Sequence, residues 1–560
     1  MLQMLTLWIY NPPVSVTRPY SSYIHLHTHL DDAADPLELL RPAERASYKT
    51  RHGTEGGQLH GCMQNTRVNI IADIERWAQE ESAPKVFWLN GHLGTGKTSI
   101  AHTVCQRLDL LQLLGASFFC SRSGLRDATR IIPTIAAMLA SSNPEIRTTI
   151  CEVLTDDNTY VDFNSLIVNP IQRAIDRTYK MNKVIVIDAL DECSSPWMVR
   201  TLLKTILNGI ADIPLKFLFV SRSEDYIKNA FRHIARPSLV QEFTLHDVPR
   251  FDVQHDIQTY LRSALSEIAN ACGYSQHVSR WPPEEELMAL LKQSDGRFIY
   301  AATAVRHIGA WGANFRWCLS DVVRSGGISM LQASPIDRLY LMILDQAFYR
   351  LEESKRILRR ELLASVVLFE TPLSVTGVAS LLGMPTDQVE AGLSPFYSSV
   401  IHIPSGGPIS IVHASFHRFI LDSAHCGDGH HVALGKSHEM LTIKCLQLLN
   451  GSLRRNICNL PEDRVGELAH EIPDLSLISE ALRYSCLHWA SHLADGFSHG
   501  LADGSLVLEN LQTFADEHLL HWFECLSVLG ELETGLKSLG KANETLSVSA
   551  YNDDDNLLMI

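Results

Sequence analysis

Eight consecutive residues, Gly91-His92-Leu93-Gly94-Thr95-Gly96-Lys97-Thr98, are of the types needed to grip a phosphate chain. Glycines at 91, 94 and 96 let backbone N–H groups turn inward on anionic oxygens, and the amino end of a following helix adds partial positive charge. Lys97 would reach the β- and γ-phosphates as a point charge, the Thr98 hydroxyl would hold Mg2+, and Ser99 completes the candidate contacts. The run fits G-x-x-x-x-G-K-[ST] at every fixed position.

A cradle does not say what happens to the phosphate. In KVIVIDALDEC, residues 183–193, Asp188 ends an aliphatic run, where a carboxylate can orient the water shell of a magnesium ion. Asp191 and Glu192 follow one turn later, and either could serve as general base for an attacking water. A third run, KFLFV at 216–220, leads into Ser221-Arg222, and a guanidinium there could read whether a γ-phosphate is present.

These groups need a frame. VFWL at 86–89 reads as a buried strand and residues 99–108 as a helix, so the cradle sits in a strand–loop–helix unit. With QEFTL at 241–245 as a fifth candidate strand, the first half reads as α/β. The pattern then turns helical to about residue 350, with Ile257, Leu261, Leu265 and Ile268 on one face. Residues 356–425 read helix, helix, helix, hairpin: Gly383 ends one helix, Thr386 caps the next, and Ser405-Gly406-Gly407 turns two short strands. That is the order of a winged helix. Its third helix, expected over Thr386 to Val400, contains Asp387 and Glu390 and no Lys or Arg, so it would repel a phosphate backbone and suits an internal clamp. Further apolar stripes follow at Leu482, Cys486, Trp489 and Leu493, and at Leu519, Trp522, Phe523 and Leu526.

Composition sets the outer bounds. A chain of 560 residues holds several domains, and 46% hydrophobic with 20% charged residues is ordinary for folded protein. A net charge of −15 argues against nucleic acid as a partner. Twelve cysteines without a C-x-x-C pair read as buried thiols of a reducing compartment. No apolar stretch approaches the roughly 20 residues of a membrane helix, and MLQMLTLWIYNPPVSV reads as an irregular terminus, so the expectation is a cytoplasmic protein without a membrane partner. His25, His27 and His29 in YIHLHTHLDD have the spacing that can seat a divalent metal. The barrel of some 250 residues that would supply further ligands has no room before the cradle, so a polar segment is expected there.

On FWLNGHLGTGKTSIA, GASFFCSR (115–122), VIVIDALDEC and DGRFIYAATAVRHI (295–308), the chain resembles NACHT proteins of the STAND class of signalling NTPases, in the fungal, nephrocystin-3-like form. The resemblance runs from about Leu37 to Leu539, and the small Ala189 after Asp188 is the NACHT form of that motif. It implies an α/β fold, a P-loop NTPase parallel sheet in ASCE order, followed by helical, winged-helix and further helical domains. The implied divisions are an irregular segment (1–35), a linker helix region (36–84), the NACHT NTPase domain (85–247), a helical domain (248–350), a winged-helix domain (351–428), a C-terminal helical region (429–545) and a disordered tail (546–560). It also implies ATP/ADP with Mg2+, slow hydrolysis, and a closed ADP form that opens and oligomerises with ATP. Protein partners in innate-immunity-like or incompatibility signalling would follow. His413 in VHASF matches the histidine that touches the ADP β-phosphate in this class. The chain departs from the family at Val220-Ser221-Arg222-Ser223, where Thr-Ser-Arg-Pro is common, and at Asn65-Thr66-Arg67, where Gly-Thr-Arg is usual. No repeat of 20–50 residues marks a WD-type sensor. The rival expectations are a work-producing ATPase or nucleotide kinase, and a nucleotide-independent scaffold.

Overall fold

A computed structural model of the chain describes residues 35–43, 45–49, 61–120, 127–155, 162–176, 182–232, 236–274, 281–326, 333–397, 399–404, 406–427, 429–459, 475–500 and 504–552. The histidines at 25, 27 and 29, the Ser121-Arg122 end of GASFFCSR, and Ser405 of the expected turn lie outside these residues.

Runs of β-branched and aromatic residues form five parallel strands: β1 (Val86–Asn90), β2 (Leu114–Phe119), β3 (Lys183–Asp188), β4 (Leu215–Ser221) and β5 (Val240–Thr244). Their order across the sheet is β2-β3-β4-β1-β5, the ASCE order. Placing β4 between β1 and β3 has a direct consequence, because neighbouring strands lie about 4.8 Å apart. Asn90 is in register with Ser221, and Asp188 with Val220. The cradle, Arg222 and Asp188 therefore leave the same edge of the sheet side by side.

Strand alternation sorts the core into two layers. Trp88, Phe118, Ile185, Ile187, Phe217 and Phe219 face one side, under the helices Ile131–Ser142, Pro144–Thr155 and Pro196–Gly209. Phe87, Leu89, Val184, Val186, Leu218 and Val220 face the other, under Val68–Gln79 and Lys97–Leu110. A polar residue inside β4 fits this scheme only because it caps a helix. Lys216 is 2% exposed, and its ammonium donates to the carbonyls of Trp77 (2.6 Å) and Ala78 (3.4 Å), at the end of Val68–Gln79. That position satisfies orphan carbonyls and complements the helix dipole. The β2 edge is covered by Ala46 and Tyr48: Phe119 N–H donates to Ala46 O (2.9 Å), and Tyr48 N–H to Ser117 Oγ (3.1 Å).

After residue 250 the chain is helical, beginning with Arg250–Ala271, Glu284–Ser294, Phe298–Ala310 and Phe315–Gly326. Ile257, Leu261 and Leu265 are fully buried, and Ile268 packs against the same core. The three helices Glu353–Leu368, Val375–Leu382 and Thr386–Leu393 precede an antiparallel pair, β6 (Ile401–His402) and β7 (Ser410–Ile411). One apolar core runs from Val253 to Ala542 and takes in Leu482, Cys486, Trp489, Leu493, Trp522 and Leu526.

Several local expectations change. The helix expected over 386–400 stops at Leu393 and gives way to a single tight turn, Ser394–Phe396, because Pro395 cannot continue an α-helix. Thr386 is the first helical residue rather than the cap; Pro385 takes the cap position and no side chain bonds there. Gly383 does end its helix, in the left-handed conformation at φ 69°. The last helix, Leu532–Asn552, continues into the segment expected as a tail, since no Pro or Gly interrupts the run after Gly540. All twelve cysteines are free thiols, and among the described residues no helix is long and apolar enough to cross a membrane.

Candidate functional site

The cradle leaves β1 and turns through two left-handed glycines, Gly94 (φ 78°) and Gly96 (φ 89°), before the helix Lys97–Leu110 begins. Both positions need glycine for conformation, but for different spatial reasons. A Cβ on Gly96 would meet nothing within 4 Å, so the hollow of the loop is open there. A Cβ on Gly94 would lie 2.2 Å from Ile299 Cγ2. The helix Phe298–Ala310 sits directly on the loop, and Ile299 N–H donates to Gly94 O at 3.1 Å.

The loop's own bonds hold it in a folded-back form. Lys97 Nζ donates to Gly91 O (2.8 Å) and His92 O (2.9 Å), and Thr95 Oγ1 donates to His92 O (2.9 Å). Burial lowers the Lys97 pKa from its usual range, while Asp191 and Asp188 draw it back up. Thr98 and Ser99 lie in the first helical turn, Leu93 is half-buried, and the exposed His92 stacks on His246 with ring centres 4.6 Å apart.

Opposite Lys97 stands an acidic group with its own cation. Arg222 Nε lies 2.8 Å from Asp191 Oδ2, and Arg222 N–H donates to Asp191 Oδ1 at 2.8 Å. The Asp191 side chain is only 3% exposed, so a carboxylate there requires this two-point clamp. Glu192 lies 3.9 Å from Arg222 Nη2, and that nitrogen has no hydrogen-bond acceptor among the described residues. Asp188, 2% exposed, ends β3 with its carbonyl accepting from Cys120 N–H (3.0 Å).

His413 arrives from the other end of the chain. It caps the short helix Ala414–Ile420, and Ser415 N–H donates to its Nδ1 at 3.1 Å. Nδ1 therefore lacks a proton and Nε2 carries it, leaving an N–H donor on the outward side of the ring. Burial, then the positive charges of Arg306, Lys97, Arg222 and Arg418, push its pKa down to about 3. The imidazole is neutral at pH 7, and it lies within electrostatic reach of both the cradle lysine and the β4 arginine.

Contacts join 191–192 to 222, and charge interactions link Lys97 to 188, 191, 192 and 222 and His413 to Lys97 and Arg222. A glycine hollow, a lysine bonded to main-chain carbonyls, a guanidinium nitrogen without an acceptor among the described residues and a neutral N–H donor fit a polyphosphate. A hydroxyl at 98 and a carboxylate at 188 are the hard oxygen donors that suit Mg2+.

Two contacts escaped the sequence reading. One is Ile299, within DGRFIYAATAVRHI, for which the glycine at the unconstrained motif position 94 is the signal in the sequence. The other is Arg67, 6% exposed, whose Nη2 donates to Thr95 O (3.0 Å). Its backbone N–H donates to Asp256 (3.2 Å), and its guanidinium lies 4.9 Å from the Phe298 ring centre. Arg67 thereby ties the start of the helix Val68–Gln79, the cradle and the helices Arg250–Ala271 and Phe298–Ala310 together.

The Gly94 contact gives a paired prediction. Gly94→Ala should drive Ile299 off the loop, and amides 298–303 should exchange hydrogen faster. Gly96→Ala carries similar backbone strain, of order 1–2 kcal/mol, but meets open space and should leave those amides protected. Hydrogen-exchange mass spectrometry compares the two, and equal protection in both variants would contradict the packing described.

Residues 69–222 match the family model described as Nephrocystin 3, N-terminal. The chain is 22% identical over 537 residues to the vegetative incompatibility protein HET-E-1 of Podospora anserina, a match covering 87% of this chain and 36% of that protein. The chain thus spans little more than a third of that relative's length. Among solved structures it is similar to a Signal Transduction ATPase with Numerous Domains (STAND) protein with a tetratricopeptide repeat sensor from Pyrococcus horikoshii. The TM-score is 0.40 at 15% identity, covering 88% of this chain and 66% of that one. It is also similar to the Aeropyrum pernix ORC1 protein in complex with DNA, at a TM-score of 0.28 and 14% identity, covering 65% and 92%.

Proposed function

The chain carries a NACHT-type P-loop NTPase domain of the STAND signalling class, and from that premise we propose that it is a nucleotide-dependent switch. ADP, gripped between the cradle and His413, holds a closed form; exchange for ATP releases the segments after residue 250 for self-oligomerisation and partner binding. The observation that supports this reading is that groups from three parts of the chain act on one another around the glycine hollow of the cradle. Lys97 comes from the start of the helix Lys97–Leu110 and Arg222 from just after β4, Ile299 sits on Gly94, and His413 comes from the segment of three helices and a hairpin. A change in the charge at that hollow acts on all three.

Moving such an equilibrium from mostly closed to mostly open takes about 5.5 kcal/mol of differential binding. A magnesium-bound triphosphate that engages Arg222 in one state only is a sufficient source. The bound nucleotide would lie with its phosphates on the loop amides and Lys97, and with Thr98 and Asp188 placed to hold Mg2+, which neutralises phosphate charge. Asp191 is committed to Arg222, so we assign Glu192 the role of orienting the attacking water. Release of Asp191 from Arg222 would have to precede any larger contribution from it, which favours slow turnover over a work cycle. A setting in incompatibility-type signalling is part of the proposal, and the likeness to the vegetative incompatibility protein supports it.

Size-exclusion chromatography with light scattering tests the switch. The ADP-loaded chain should elute as a compact monomer, and the chain with a non-hydrolysable ATP analogue should expand or assemble. Identical radius and mass with either nucleotide would overturn the proposal, as would steady-state turnover well above about one per second, the low end of ordinary enzymes.

A further inference from the structure

The helix Phe298–Ala310 touches the cradle with its first turn, and one residue two turns further on has no place in the site as described so far. Arg306 lies seven residues after Ile299, on the same face of the helix and about 10 Å along its axis. The residue between them on that face is the small, half-buried Ala302, which leaves room along the face. The other sides are occupied: Ala301, Ala304 and Ile308 are fully buried in the helical core, and His307 bonds to Ser399 (3.1 Å) and Gln346 (3.1 Å).

Arg306 itself forms no ion pair or hydrogen bond with another described residue, and its Nη1 is buried without an acceptor. A desolvated guanidinium nitrogen left without an acceptor is costly unless something supplies one. Its electrostatic neighbours name the missing partner. Of the four cations acting on His413, Arg306 acts most strongly, ahead of Lys97 and Arg222. The charges of Arg306, Lys97 and Arg222, from three segments, all act on the imidazole, and an anion held beside it would be attracted by all three while giving the Arg306 Nη1 its acceptor.

We propose that Arg306 is a phosphate-binding residue contributed by the helical segment, contacting the terminal phosphate of a bound nucleoside diphosphate beside His413. This rests on the switch reading above and deepens it. The diphosphate would bridge Lys97, at the start of the helix Lys97–Leu110, to Arg306 on the helix Phe298–Ala310, so loss of the terminal phosphate would cost that bridge. A nucleoside monophosphate, one phosphate shorter, could not span from the cradle to this residue.

The test uses calorimetric titration of the full chain and its Arg306→Gln and Arg306→Lys variants with ADP and AMP. Loss of one charge-assisted contact should weaken ADP by about 10- to 100-fold. AMP affinity should change less than about twofold, and Arg306→Lys should recover part of the ADP binding. The nucleotide-free melting temperature should not fall, because the substitution removes a cation from a like-charged cluster. ADP affinity within about twofold of wild type in Arg306→Gln, with wild type binding ADP normally, would overturn this assignment and leave the switch standing. Equal losses for ADP and AMP with a lowered melting temperature would make Arg306 a structural residue. Failure of the wild-type chain to bind ADP would overturn both readings.

Discussion

Lys97→Ala should lower the affinity for both ATP and ADP by roughly 100-fold or more, because the lost ammonium makes charge-assisted contacts worth about 1.5–3 kcal/mol each. The fold should survive. Lys97 Nζ bonds to two loop carbonyls, Gly91 O and His92 O, at the mouth of a hollow where water can take its place. Lys97→Arg should fail nearly as badly, since a planar fork does not replace a compact ammonium inside a turn of three glycines. Thermal shift supplies the check: a ligand at 100 times its dissociation constant adds about 2.7 kcal/mol, so ADP should raise the wild-type midpoint and leave both variants unmoved. A scaffold that keeps the fold without using nucleotide would show no shift in any of the three.

The second large effect is acid lability. Burial pushes the pKa of His307 down to about 4, and that of His492 to about 3. His492 is 0% exposed, with Nε2 2.6 Å from Tyr484 Oη and Nδ1 2.9 Å from His438 Nδ1. Both rings stay neutral in the folded chain while the unfolded chain takes up protons near pH 6.5. Because the folded pKa is the lower, stability is full above about pH 6.5 and is lost as pH falls toward 4. Between pH 7.5 and 5 each group should cost about 2 kcal/mol. His413 acts in the same direction, since its pKa is also depressed. Unfolding followed by circular dichroism should therefore show a steep decline over this window, where ordinary carboxylates are still charged. His307→Gln and His492→Gln should each flatten it, and a profile flat from pH 7.5 to 5 would contradict the buried neutral rings.

What could be read from the sequence follows the range of the interactions. The cradle, Asp188 and Arg222 each sit at the end of a short apolar run, so strand, turn and side chain are fixed within about ten residues. The five-strand order follows from the same motifs once the family likeness is admitted. The Asp191–Arg222 clamp was not readable, because it depends on β3 and β4 being neighbours and on Asp191 being nearly sealed from water. The same holds for Arg67 with Asp256, which are 189 residues apart, and for Gly94 against Ile299. Errors at Leu393 and Asn552 concern helix ends, where one proline or the lack of a breaker outweighs a periodic pattern. The assignment of His413 began as family likeness. The charges of Lys97 and Arg222 reach its imidazole, while its grip on ADP belongs to the proposal.

The central claim is that the glycine hollow at 91–98, Asp188, Arg222 and His413 form one site filled by an adenosine polyphosphate. The most direct measurement is mass spectrometry of the small molecules released on denaturing the gently purified full chain, paired with a calorimetric titration of the emptied protein. The prediction is ADP at close to one molecule per chain, and saturable binding of ADP and ATP after its removal. A chain that releases no nucleotide and gives no binding heat with either adenosine species would contradict the account.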